Sequence, residues 1–170
     1  MTWLSGTSDE NEEFRAVLGL RPEVLARHED LVSRIWRDGG PDPQVLEMCR
    51  LRIAQLHAST YDAALRSEPA VSAGLTEDKI NELGLYSSSP LYSEHERRAL
   101  AFAEHYVMDV HGITDEVFAA VAEGMTSAQM AAFTFALGIF DGLTRFRVML
   151  GVRPNPGTAQ LIPPDVAASL

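Results

Sequence analysis

Helix start and stop signals run through the whole chain, and they constrain its fold more than any other feature. The longest unit is SAQMAAFTFALGIFDGLTRFRVML, Ser127 to Leu150, with Thr126 or Ser127 as its cap, Gly151 as its stop and Pro154 just beyond. A Ser, Thr or Asp side chain satisfies the open N–H groups of a first turn, and a glycine accepts the left-handed backbone that ends a last one. The same grammar recurs upstream. Pro22 opens PEVLARHEDLVSRIWRDGG, where Val24, Leu25, Leu31, Ile35 and Trp36 keep helical spacing and Gly39-Gly40 marks a stop. Asp42-Pro43 opens a segment that reaches Arg66. Thr76 caps a short helix to about Leu85, Ser93 to Glu96 is a capping box before RRALAFAEHYVMDV, and Thr114 caps DEVFAAVAEG. Strand signals are nearly absent. The fold class this predicts is all-α: a compact bundle of six to eight helices, with Leu46, Ile53, Leu56, Phe102, Phe135 and Leu137 in its core.

The chain's 170 residues suit a single domain over 1–170, with a core at about 14–152, an N-terminal arm at 1–13 and a C-terminal tail at 153–170. Trp3 and Leu4 in the arm suit a homo-oligomer, ordered against a neighbouring copy. No run approaches the roughly 20 apolar residues of a membrane span. The opening MTWLSGTSDENEEF turns acidic without a basic region, which is unlike a signal peptide, so a cytoplasmic location is expected. A net charge of −10 with no gathered basic face argues against nucleic acid. The single cysteine excludes an internal disulfide and a zinc ribbon, and no expected metal ligand set emerges from the dispersed His28, His57, His95, His105 and His111. No phosphate loop or nucleophile elbow occurs, so no cofactor is expected. Arginines set beside apolar residues, such as Arg50, Arg66, Arg145 and Arg147, serve internal pairing or an anionic small-molecule ligand.

The segment PQVLEMCRLRIAQLHASTYDAALR, Pro43 to Arg66, resembles the signature helix of the carboxymuconolactone decarboxylase superfamily, which includes the alkyl hydroperoxidase D proteins. ERRALAFAEHY and ALGIFDGLTRFRVMLGV extend the resemblance to about residues 14–152. In redox-active members a Glu precedes a Cys-x-x-Cys by twelve residues, and a His follows four residues after the second Cys. Here Glu47 stands at the Glu position, Ser59 and Asp62 replace the cysteines, and Arg66 replaces the His. The resemblance implies an all-α bundle assembled as a dimer, trimer or hexamer.

Peroxide reduction by those relatives needs a thiolate nucleophile and a resolving thiol. Ser59 cannot cycle through a disulfide, and Cys49, ten residues earlier between Met48 and Arg50, has no partner thiol and reads as a small core residue. Ser59, Asp62 and Arg66 carry two readings. In one, Ser59 caps a helix, Asp62 favours its positive end, and Asp62 with Arg66 forms an i,i+4 pair of about 0.3–0.5 kcal/mol. In the other, the three fall on one helical face and floor a pocket, Arg66 binding a carboxylate and Asp62 moving a proton. Glu47 is a relay member or a structural ion pair with Arg50, His57 or Arg66. His57 is a general acid or base, or a hydrogen-bonded packing residue. Asp141, Thr144 and Arg145 interrupt an apolar helix, as an Asp141–Arg145 pair, a ligand pocket or a subunit contact. The favoured function is a cofactor-free, lyase-like or degenerate enzyme acting on a small organic acid or lactone. The alternatives are a peroxidase, which the lost cysteines oppose, and a non-catalytic small-molecule binder.

Overall fold

Helix α3 (Pro43–Leu56) is the axis of the molecule: nine of its fourteen residues are buried, including Glu47 and Arg50. It belongs to a computed structural model that describes residues 13–37, 42–153 and 160–162. The Asp42 side chain accepts from the Gln44 N–H at its start, with Pro43 preset for the first turn. The helix packs on α7 (Glu94–Met108), α9 (Ser127–Leu150) and α5 (Glu68–Ser72). Met48, Cys49, Ile53, Leu100, Phe102, Phe133 and Leu137 meet in the centre, and Phe102 stacks on Phe133. A capping box starts α7 (Ser93 with Glu96), where the sequence places it, and another starts α9 (Thr126 with Gln129), settling its cap on Thr126 rather than Ser127.

Around this core lie α1 (Glu13–Leu18), α2 (Pro22–Arg37), α4 (Thr60–Ala63), α6 (Glu77–Asn81) and α8 (Asp115–Ala122), with 3₁₀ turns at Leu83–Leu85 and Val110–Gly112. The fold is all-α, with nine α-helices among the described residues rather than six to eight. The surplus arises because several units are single turns between caps. One short parallel ribbon was not expected: β1 (Leu65–Ser67) pairs with β2 (Gln160–Ile162), Arg66 opposite Leu161. Leu56 is only half-buried, and Phe135 is 55% exposed, because α9 is apolar on more faces than the core can cover. Trp3, Leu4 and Gly39-Gly40 lie outside the described residues.

The segment from Pro43 to Arg66 is not one helix. After Leu56 the Ser59 N–H returns to Ala54 O and the Ala58 N–H to Gln55 O, a closing pair that requires a left-handed residue between them. That residue is Ala58, at φ +51°. An alanine there carries a steric cost that glycine avoids. Ala58→Gly is therefore expected to raise stability by about 0.5–1 kcal/mol in urea unfolding, net of the entropy glycine adds to the unfolded chain. The turn delivers Ser59 as cap of α4, while Arg66 passes into β1. Asp62 and Arg66 thus share no helix, and spacing by four residues no longer sets them side by side.

Helix α9 ends with the same motif built on glycine. Gly151 sits at φ +69°, its N–H reaching Val148 O while the Val152 N–H reaches Arg147 O. Phe14, Val17, Leu150 and Val152, with Tyr61, Leu143 and Phe146 against them, form a second apolar cluster separate from the main core. That cluster docks α1 over the end of α9.

Candidate functional site

Glu47 is fully buried on α3 and meets Arg50 one turn later. The guanidinium grips it side-on, Nε to Oε2 at 2.7 Å and Nη2 to Oε1 at 2.7 Å. The remaining Arg50 hydrogens go to backbone: Nη1 to Asp62 O at 2.9 Å and Nη2 to Leu65 O at 2.8 Å. Glu47 Oε1 also accepts the Ser67 N–H at 3.0 Å. Burial alone pulls the Arg50 guanidinium down, but the charge and hydrogen bonds of Glu47 outweigh it and hold the proton more firmly than usual. The pair is thus a clamp that ties α3 to α4 and β1.

Asp62 is the second buried carboxylate, on α4. Its Oδ2 accepts the Ser59 hydroxyl at 2.7 Å, and Ser59 Oγ accepts the Asp62 N–H at 3.2 Å as the helix cap. Its Oδ1 takes Nη1 of Arg147 from α9 at 2.5 Å. The Arg147 guanidinium lies against two neighbouring rings, 4.0 Å from the Phe14 centroid and 5.3 Å from that of Tyr61. Burial pulls Arg147 below the ordinary arginine range, and Asp62 offsets only part of that. His28 of α2 packs edge-on against Phe14, ring centroids 5.2 Å apart. Burial first, and then the Arg147 charge, push the His28 imidazolium down to about 4.

Glu47, Ser59 and Asp62 therefore share one buried polar network, joined by Arg50 and Arg147. Arg66 meets this network at the Leu65 carbonyl, which it shares with Arg50, but not at its carboxylates. From β1 it reaches Glu77, Nε to Oε1 at 2.8 Å and Nη2 to Oε2 at 3.0 Å, and donates to Ala63 O and Leu65 O. The expected Asp62–Arg66 pair is replaced by Asp62–Arg147, because α4 ends at Ala63 and Arg66 lies on β1. His57, Asp141 and Arg145 form a second group: His57 Nε2 lies 2.6 Å from Asp141 Oδ1, and Arg145 Nε is 3.0 Å from both Asp141 oxygens. This group ties the end of α3 to α9, while Thr144 is buried beside it. Cys49 is enclosed in the core with its thiol on Ala99 O, and burial pushes its pKa far up, so it carries no appreciable thiolate at neutral pH. Sequence reasoning places Arg147 among the arginines for internal pairing or an anionic ligand but does not pair it with Asp62. The signal was present, since a charge between Phe146 and Val148 needs a buried partner.

Elsewhere, α7, α8 and α9 enclose a groove of about 540 Å³, lined by Tyr106, Phe118, Met125, Met130 and Phe135 among others and carrying no charged side chain. Among the described residues, no helix is long and apolar enough to cross a membrane.

Among solved structures, the chain is similar to the alkylhydroperoxidase AhpD core of an uncharacterised peroxidase-related protein from Ralstonia eutropha, with a TM-score of 0.65. Identity is 20%, over 85% of this chain and 77% of that one. The fold is that of the alkylhydroperoxidase D core. No protein-family model matches the chain, and no curated protein does. The alkylhydroperoxidase D-like fold is thus present in a sequence with one cysteine and no Cys-x-x-Cys pair.

Proposed function

We propose that this protein is a cofactor-free member of the alkylhydroperoxidase D-like fold that binds a small organic acid or lactone and acts on it by acid–base, lyase-like chemistry. The observation that carries the reading is the Ser59–Asp62–Arg147 chain, which replaces a dithiol with a hydroxyl, a carboxylate and a guanidinium in direct contact. In that arrangement Arg147 neutralises the acid, Asp62 accepts or returns a proton, and Ser59 orients Asp62 through Oδ2. Glu47, with both oxygens bonded to Arg50, holds the floor of the site. Proton NMR of the protein with a panel of short carboxylic acids and lactones tests the proposal. Turnover is expected, falling roughly 100-fold or more in Asp62→Asn. A panel bound but unchanged would instead support non-catalytic binding, a reading favoured by the full internal pairing of Glu47.

We also propose that copies of the chain associate through the groove between α7, α8 and α9. A strongly acidic chain meets its own copy most readily on a face without carboxylates, and the groove lining has none. Light scattering at micromolar concentration is expected to give a mass above 18.6 kDa, reduced by Phe135→Glu. A monomeric wild type contradicts the association.

A further inference from the structure

We propose that the side-on edge of Arg147, formed by Nε and Nη2, is the seat of a small apolar monocarboxylate. This deepens the functional reading above and rests on its assignment of Ser59, Asp62 and Arg147 to a ligand site. A guanidinium offers a carboxylate two parallel N–H bonds from one edge. Arg50 shows that edge filled, with Nε and Nη2 each 2.7 Å from an oxygen of Glu47. Arg147 shows it open. Its Nη1 is bound to Asp62, its Nε is buried with no hydrogen-bond partner, and among the described residues Nη2 makes no hydrogen bond. A buried N–H without a partner is rare and calls for an explanation, and a ligand carboxylate supplies one.

Asp62 cannot turn to fill the gap, because its other oxygen holds the Ser59 hydroxyl. The imidazole of His28, packed against Phe14 and within reach of the Arg147 charge, is neutral at pH 7 and supplies no anion. Burial pulls Arg147 down more than Asp62 restores, which a second anion would correct.

The surroundings select the ligand. Phe14 and Tyr61 face the guanidinium, and Val17, Leu143 and Phe146 belong to the same apolar cluster. A molecule with one carboxylate and an apolar body suits these walls. Further charges, as on a dicarboxylate or phosphate, would be desolvated without partners. Entry requires Phe14 to withdraw, and α1 carries it on the satellite cluster, outside the main core. Phe14 is then a cover, and the ligand takes up the space it concedes.

Arginine Nε–H resonances of the full chain test this during titration with benzoate, propionate and sulfate. The Arg147 Nε–H is expected to shift saturably with benzoate and propionate, while that of Arg50 stays in place. Arg147→Lys keeps the charge for Asp62 but lacks the two-donor edge, and is expected to weaken benzoate binding roughly tenfold or more by calorimetry. Phe14→Ala is expected to bind faster. An Arg147 signal unmoved across the titration overturns the proposal, and needs no variant to fold. Undiminished binding by folded Arg147→Lys also overturns it, and an equal response to sulfate overturns the monocarboxylate assignment. Binding at Arg147 without turnover sinks the catalytic reading and leaves this one intact; turnover with an unmoved Arg147 signal does the reverse.

Discussion

Glu47→Ala is expected to lower unfolding stability by about 3–5 kcal/mol, the cost of leaving a buried arginine without its anion. Arg50 would keep the carbonyls of Asp62 and Leu65 but lose both Glu47 oxygens, and the Ser67 N–H would lose its acceptor as well. Replacing Glu47 and Arg50 together by apolar residues does not rescue the fold fully, because those backbone groups stay buried and unpaired. Arg66→Ala supplies the contrast. Its partner Glu77 is 61% exposed, so the loss should stay under about 1 kcal/mol. Urea midpoints of the two variants check the difference directly. A Glu47→Ala protein as stable as Arg66→Ala would mean that the Glu47–Arg50 clamp is solvated.

Acidification should destabilise the protein through His28, by about 3 kcal/mol between pH 6.5 and about 4. The sign follows from the direction of the shift. Burial and then Arg147 disfavour the imidazolium in the folded state, so the unfolded chain binds the proton first. Stability from this group is complete above pH 6.5, declines as the pH falls towards 4, and levels off below. Carboxylates titrate in the same range, so the measurement is the difference in pH dependence between wild type and His28→Gln. Parallel curves would contradict the packing of His28 against Phe14. The loosened element should be α1, since both His28 and Arg147 pack on its Phe14.

Much of this architecture could be read from individual residues. Ser93 with Glu96 announces one long helix, and Thr126 or Ser127 the other, because capping is local chemistry, settled within one turn. Ser59 was legible as a cap and Glu47 as a buried acid with Arg50 among its partners for the same reason. Asp141 with Arg145 was legible from helical spacing alone. Ala58 was not, because an alanine gives no sign that it will turn left-handed, and neither was the end of α4 at Ala63, which is why Asp62 and Arg66 were expected on one helix face. Arg147 was not legible as the partner of Asp62, which lies 85 residues away and meets it only where α9 passes α4. Phe135 looked like core because periodicity cannot rank the faces of a helix that is apolar nearly all round.

Dithiol-dependent peroxide reduction, measured on wild type and on Cys49→Ser, tests most directly the claim that acid–base groups have replaced redox chemistry in this fold. No turnover above the uncatalysed rate is expected from either protein, because the one thiol is enclosed, has its pKa pushed far up and has no second thiol to resolve it. Turnover by the wild type that disappears in Cys49→Ser would contradict the account.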